Sequence, residues 1–190
     1  MLSLKADQTL DCKGLSCPMP IVKTKKAIDA MPVGEVLEVQ ATDKGSLADL
    51  QAWAKRTGHN YLGTLEEGDV LKHYLRKCNV DGEREEMKFA NTVQNDELKS
   101  KLGENIIVLD VREEAEYFFS HIPNAVSIPL GELEEKANDL DKENEIYVIC
   151  RTGNRSDLAC QQLDEKGFKH IFNVIPGMNE WDGPTESDKE

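Results

Sequence analysis

The stretch Glu145–Leu163, "EIYVICRTGNRSDLACQQL", decides how the second half of this chain is read. It opens with the apolar, β-branched run "IYVIC", breaks at "RTGN", and resumes with Ser156, Ala159, Cys160 and Leu163 at helical spacing. A strand apolar at consecutive positions is buried on both faces, which is how a parallel sheet covered by helices reads. Two further runs, "NIIVLDV" and "KHIFNVI", have the same character, with "DELKSKL" before the first and "LGELEEKANDL" after it as helical candidates. The expectation is a parallel α/β domain. In such sheets the reactive crevice lies at the carboxyl ends of the strands, where Cys150 falls.

A thiol attacks as its thiolate, so a reactive cysteine needs something to stabilise the anion. The loop from Arg151 to Ser156 offers three sources of positive field. Gly153 permits a backbone bend that lets the amides of Arg151, Thr152, Gly153 and Asn154 converge on an anion. The following helix adds its N-terminal partial charge, with Ser156 expected as its cap. Arg151 and Arg155 add fixed cations with forked donors suited to a sulfonate, sulfate or phosphate-like group. One loop would both activate the sulfur and orient its substrate.

The first half has a different rhythm. "QTLDC" reads as a short strand, and "PIVKTKKAIDAM" as a helix with Ile21, Thr24, Ile28 and Met31 on its apolar stripe and Pro20 in its first turn. "EVLEVQAT" alternates, with Leu37, Val39 and Ala41 facing inward and Glu38 and Gln40 facing solvent. Leu47, Leu50 and Ala54 define a second helix that ends at Gly58, and "NYLGTLE" and "VLKHYLRK" form a hairpin around "EGD". The order βαβαββ with one apolar sheet face implies a two-layer sandwich carrying both helices on one side. Cys17, in "SCPMP", lies just outside the first helix, where the dipole would lower its pKa and leave the sulfur accessible.

At 190 residues with 39% hydrophobic side chains, the chain has room for two small packed cores. The boundaries read as residues 1–77 for the first domain, 78–92 for a connector rich in charge, and 93–190 for the second. Residues 1–82 carry 11 basic and 11 acidic side chains, so the whole net charge of −13 falls in 83–190, with 12 basic and 25 acidic. That field repels phosphate backbones and argues against nucleic-acid binding. No segment approaches the roughly 18 to 20 apolar residues of a bilayer span, so a cytoplasmic location without a membrane partner is expected. Five cysteines at 12, 17, 78, 150 and 160, without a CxxC pair or a histidine cluster, suit reduced thiols better than a disulfide framework or zinc. Cys160 lies on a buried stripe. Cys12 reads first as a small strand-end residue and alternatively as a resolving thiol for Cys17, which needs Cα atoms within about 7 Å.

Through "VLDVREEAEY", "HIPNAVSIPL", "CRTGNRS" and "GFKHIFNVIPGMNEW", residues 90–185 resemble a single-domain rhodanese. The resemblance implies that Cys150 accepts a sulfane sulfur as a persulfide, with the loop amides, Arg151 and Arg155 holding the donor's anionic group. Asp110, Arg112 and His121 also match motif positions of that family but read as scaffold, the first two at the end of a strand and His121 leading into the "IPNA" turn. Related phosphatase-like proteins have five residues between cysteine and arginine, where this loop has four between Cys150 and Arg155; the shorter ring favours a persulfide over a phosphoryl group. Through "LDCKGLSCPMPIVKTKKAI" and "ATDKGSLADLQAWAKRTGH", residues 5–77 resemble the TusA-type sulfur carriers, which implies that Cys17 also carries sulfur. The combined expectation is a sulfurtransferase relay. Cys150 accepts from thiosulfate, a low-molecular-weight persulfide or a protein donor, and exchanges with Cys17 for delivery to a thiol or sulfur-carrier acceptor, without a metal or organic cofactor. Alternatives are a sulfur-sensing or scaffold protein whose partners depend on persulfidation, and a phosphatase or arsenate reductase built on the second domain.

Overall fold

The computed structural model describes residues 4–79 and 87–189. The chain divides into two compact units, Met1–Glu83 and Arg84–Glu190.

In the first unit, β1 (Gln8–Cys12), α1 (Met19–Ala30), β2 (Val36–Ala41), α2 (Ser46–Thr57), β3 (Asn60–Glu67) and β4 (Val70–Arg76) follow one another. The sheet order is β1-β2-β4-β3, with β1 parallel to β2 and the remaining pairs antiparallel. Both helices share one core with the same sheet face. Ile28 and Met31 from the first helix and Leu50, Trp53 and Ala54 from the second pack on Leu37, Val39 and Leu75. Two details differ from the periodicity. Leu47 is 37% exposed and Ser46 takes the buried position, because the Ser46 hydroxyl meets Nε2 of the buried His73 at 2.9 Å. Glu38 is buried rather than solvent-facing. Its register partner Tyr74 donates its phenol to the Glu38 carboxylate at 2.7 Å, and Gln40 Nε2 donates to the other oxygen at 2.7 Å.

The second unit holds β5 (Thr92–Gln94), α3 (Asn95–Lys101), β6 (Ile106–Asp110), α4 (Glu114–Phe119), β7 (Val126–Ser127), α5 (Leu133–Lys136), β8 (Glu145–Ile149), α6 (Asn154–Glu165) and β9 (Ile171–Ile175). All five strands are parallel, in the order β5-β9-β8-β6-β7. Alternate residues of β8 enter separate cores. Ile146 and Val148 pack toward α5 and α6, and Tyr147 and Ile149 toward α3. This two-sided burial is why the strand lacks a polar face.

Of the expected connector, residues 80–86 lie outside the described residues. Residues 87–92 pack on the second unit. The backbone N–H groups of Lys88 and Phe89 donate to the Asp157 carboxylate at 3.1 and 2.9 Å, the Phe89 ring joins the α6-side core, and β5 begins at Thr92. Among the described residues no helix is long and apolar enough to cross a membrane.

Candidate functional site

Cys150 is the first residue after β8, at the carboxyl edge of the sheet. The helix begins at Asn154 with Gly153 as its N-cap. Ser156 is therefore not the cap expected from the sequence. It lies within the first turn and is fully buried, with its hydroxyl directed at the Cys150 sulfur at 3.3 Å and at Asn173 Oδ1 at 2.5 Å. The Gly153 N–H also donates to the sulfur, at 3.1 Å. That geometry requires glycine. The residue has φ +98°, and an added Cβ would stand 2.8 Å from the Ile175 side chain. The sulfur thus has one backbone and one hydroxyl donor at a helix N-terminus, an arrangement that stabilises negative charge.

The arginines part company. Arg155 turns to α4 and forms a two-point pair with Glu116, Nη1 to Oε2 at 2.6 Å and Nη2 to Oε1 at 2.9 Å. This pair locks the start of α6 to α4 and gives the buried Glu116 carboxylate its compensating cation. Arg151 is half-buried on the loop. Thr152 and Asn154 line a cavity of about 570 Å³ shared with Met87, Gln94, Pro176 and Asn179. Cys150 exposes 1% of its surface, so the loop screens the thiol from bulk solvent.

A second loop braces the first from behind. Met178 N–H donates to the Cys150 carbonyl and Asn179 N–H to the Arg151 carbonyl, both at 2.9 Å. Gly177 makes this approach possible, since its φ is +87° and a Cβ there would lie 2.5 Å from the Cys150 carbonyl oxygen. Asn95 holds Gly177 in turn, donating to its carbonyl at 2.9 Å and accepting from its N–H at 3.1 Å. Glu116, Asn173, Asn95 and Gly177 were not singled out by the sequence reading. The available signal was a polar residue inside an apolar run, as in "IFNVI": a buried amide must find partners.

Asp110 and Arg112 form a buried pair with Nη2–Oδ2 at 2.6 Å, and Arg112 also donates to the Ser120 carbonyl at 2.7 Å. His121 stacks on Tyr117, meets the Tyr117 carbonyl through Nδ1 at 2.7 Å and lies 3.3 Å from Glu186. These contacts shape the scaffold.

In the first unit Cys17 is exposed, two residues before α1. Asp43 bridges two loops, accepting from Cys17 N–H at 3.4 Å and from Gly45 N–H at 3.0 Å. The expected lowering of the Cys17 pKa is overturned. A hydrogen bond to Asp49 and the Asp49 charge push the thiol up, with slight burial and Asp43 adding to the shift. The helix dipole is outweighed by two carboxylates brought from the α2 side. Met19 and Val22 next to this thiol are 45% and 54% exposed, and Lys23, Lys25 and Lys26 are exposed beside them. Cys12 is 1% exposed and packs in the helix-side core, where burial raises its pKa. Cys160 is fully buried, as its stripe predicts, and burial pushes its thiol far up.

Residues 8–77 match the family described as Sulfurtransferase TusA, and residues 94–183 match that described as Rhodanese-like domain. The candidate sulfur carrier protein YrkF of Bacillus subtilis is 51% identical over 185 residues, covering 96% of this chain and 100% of its own length. The candidate sulfur carrier protein YrkI of the same organism is 54% identical over 74 residues, 39% of this chain and 99% of its own. Its candidate sulfurtransferase YtwF is 45% identical over 91 residues, 47% of this chain and 87% of its own.

Proposed function

Because this chain belongs to the family of sulfur carriers that join a TusA domain to a rhodanese-like domain, we propose that it relays sulfane sulfur from Cys150 to Cys17 through persulfides. The observation that carries this reading is the pair of donors, Gly153 N–H and Ser156 Oγ, aimed at the Cys150 sulfur. With thiosulfate as donor, the Cys150 thiolate attacks the outer sulfur, the S–S bond breaks, and sulfite departs with the electron pair. The Cys17 thiolate then attacks the terminal sulfur of the Cys150 persulfide, and the Cys150 sulfur leaves as a thiolate.

The two environments favour that direction. Thiol–disulfide exchange proceeds faster when the departing sulfur is a stabilised anion. Cys150 has hydrogen-bond donors for its anion, whereas the carboxylates of Asp49 and Asp43 oppose a thiolate at Cys17. Joining the partners in one chain raises their effective concentration toward the mM range where the connector permits encounter. Exposed Met19 and Val22, flanked by lysines, suit docking of an acidic protein that takes sulfur from Cys17.

The test is single-turnover transfer with Cys150→Ser and Cys17→Ser variants, read by intact mass. Wild type charged with thiosulfate is expected to carry one added sulfur at Cys150 and then at Cys17. Cys150→Ser should carry none, and Cys17→Ser should retain its sulfur at Cys150. A Cys17 that stays unlabelled while Cys150 is charged defeats the relay. Activity toward an aryl phosphate exceeding that toward thiosulfate and cyanide would replace sulfur transfer with phosphatase chemistry.

A further inference from the structure

Ser156 has one hydroxyl proton and two acceptors within reach. Its oxygen lies 3.3 Å from Cys150 Sγ and 2.5 Å from Asn173 Oδ1. Asn173 cannot readily turn aside, because its Nδ2 donates to the Gly153 carbonyl at 3.1 Å and so fixes Oδ1 toward Ser156. Both residues expose none of their surface, which leaves neither with bulk water as an alternative partner.

We propose that Asn173 restrains Cys150 by competing with its sulfur for the Ser156 proton, and so sets how firmly the sulfur cargo is held. The proposal rests on Cys150 as the acting sulfur and makes Asn173 a positioning residue that works through Ser156. In the persulfide, Sγ is a weak acceptor and the charge resides on the terminal sulfur, so the Ser156 proton stays with Asn173. When an acceptor thiolate attacks the terminal sulfur, the S–S bond breaks and its electron pair returns to Sγ. A new S–S bond forms on the acceptor, with no net oxidation or reduction. The new thiolate draws the Ser156 proton across, and Asn173 Oδ1 is left buried without that donor, which is costly. Asn173 therefore favours the loaded cysteine over the empty thiolate.

Other charged groups around the sulfur include Arg151 on its loop, Arg155 and Asp157 on α6, Glu116 and Glu113 acting on Arg155, and the Asp110–Arg112 pair beside the end of β8. The neighbouring Cys160 thiol is the further titratable group. None of these residues is altered in the variants compared, so a double-mutant cycle isolates the Asn173–Ser156 coupling.

The experiment measures the pH midpoint of iodoacetamide alkylation at Cys150, by peptide mass, in the full chain and in Asn173→Leu, Ser156→Ala and the double variant. Leucine nearly matches the shape of asparagine without the acceptor. Asn173→Leu is expected to lower the midpoint by roughly half a unit to one unit and to speed sulfur release from the loaded protein several-fold. Ser156→Ala should raise the midpoint, and in that background Asn173→Leu should lower it by far less than in wild type, leaving only the part that acts through Gly153. An equal Asn173→Leu shift in both backgrounds, or an upward one, overturns the proposal. Should Asn173→Leu fail to fold, Asn173→Asp, which keeps Oδ1 and adds charge, must raise the midpoint; a downward or absent shift overturns the idea equally. Sulfur gain at Cys150 in wild type tests the underlying sulfurtransferase reading separately, since the alkylation midpoints require no sulfur donor.

Discussion

Cys17 feels carboxylates where its position before a helix would otherwise make it a readily ionised thiol. The Asp49 hydrogen bond comes first among the causes of its raised pKa. Asp49→Asn is accordingly expected to increase the rate of Cys17 alkylation at neutral pH by roughly two- to fivefold, which corresponds to a few tenths of a pH unit or more. Peptide-resolved labelling checks this, and an unchanged rate removes Asp49 from the account. The same substitution makes Cys17 a better leaving group, so a Cys17 persulfide should pass its sulfur to a small thiol faster. Burial adds a contrast between the two candidate sulfurs. Cys17 is open to reagent, whereas Cys150 is 1% exposed and must wait for its loop to move.

At the scale of elements, α6 is fastened in three directions. Arg155 ties it to α4 through Glu116, Asp157 takes the backbone amides of residues 88 and 89, and Asn173 on β9 supports Gly153. Removing one partner of a buried ion pair leaves the other charge without compensation. Glu116→Ala should therefore cost on the order of 3 kcal/mol in the second unit, measurable as a lower denaturant midpoint together with slower Cys150 charging. The brace formed by Gly177 has no room for a side chain. Gly177→Ala combines a positive φ with a 2.5 Å approach to the Cys150 carbonyl oxygen, and about 2 kcal/mol or more of destabilisation is expected. If that variant retains wild-type stability and charging, the bracing role is wrong.

For the whole molecule, the pH response of stability has a specific source in the first unit. His73 is buried between the Ser46 hydroxyl and the Tyr61 and Thr64 hydroxyls, and burial lowers its pKa from 6.5 to about 4. The unfolded imidazole binds a proton that the folded one refuses in that interval. This contribution is full above pH 6.5 and declines as pH falls toward 4, by up to roughly 3 kcal/mol. With two tryptophans in the chain, Trp181→Phe leaves Trp53 to report unfolding of the first unit; replacing His73 with Gln should flatten the slope between pH 6.5 and 4. The strand types of the two units are legible in the sequence. Alternation in "EVLEVQAT" announced a strand with one face on the core, and continuous apolarity in "IYVIC" a strand between two layers, because side-chain periodicity follows from the geometry of the element itself. The bend at Gly153 is legible as well, since it is a chain neighbour of Cys150. Spacing along the chain, however, identifies a residue's own face and not the element that will stand opposite. Only the tertiary fold could bring Glu116 to Arg155, set Asn173 against Ser156, turn Ser156 from a cap into a donor for sulfur, and place Asp43 and Asp49 around Cys17. All but the Ser156–Cys150 contact join residues far apart in sequence, and packing of the finished sheets and helices determines them.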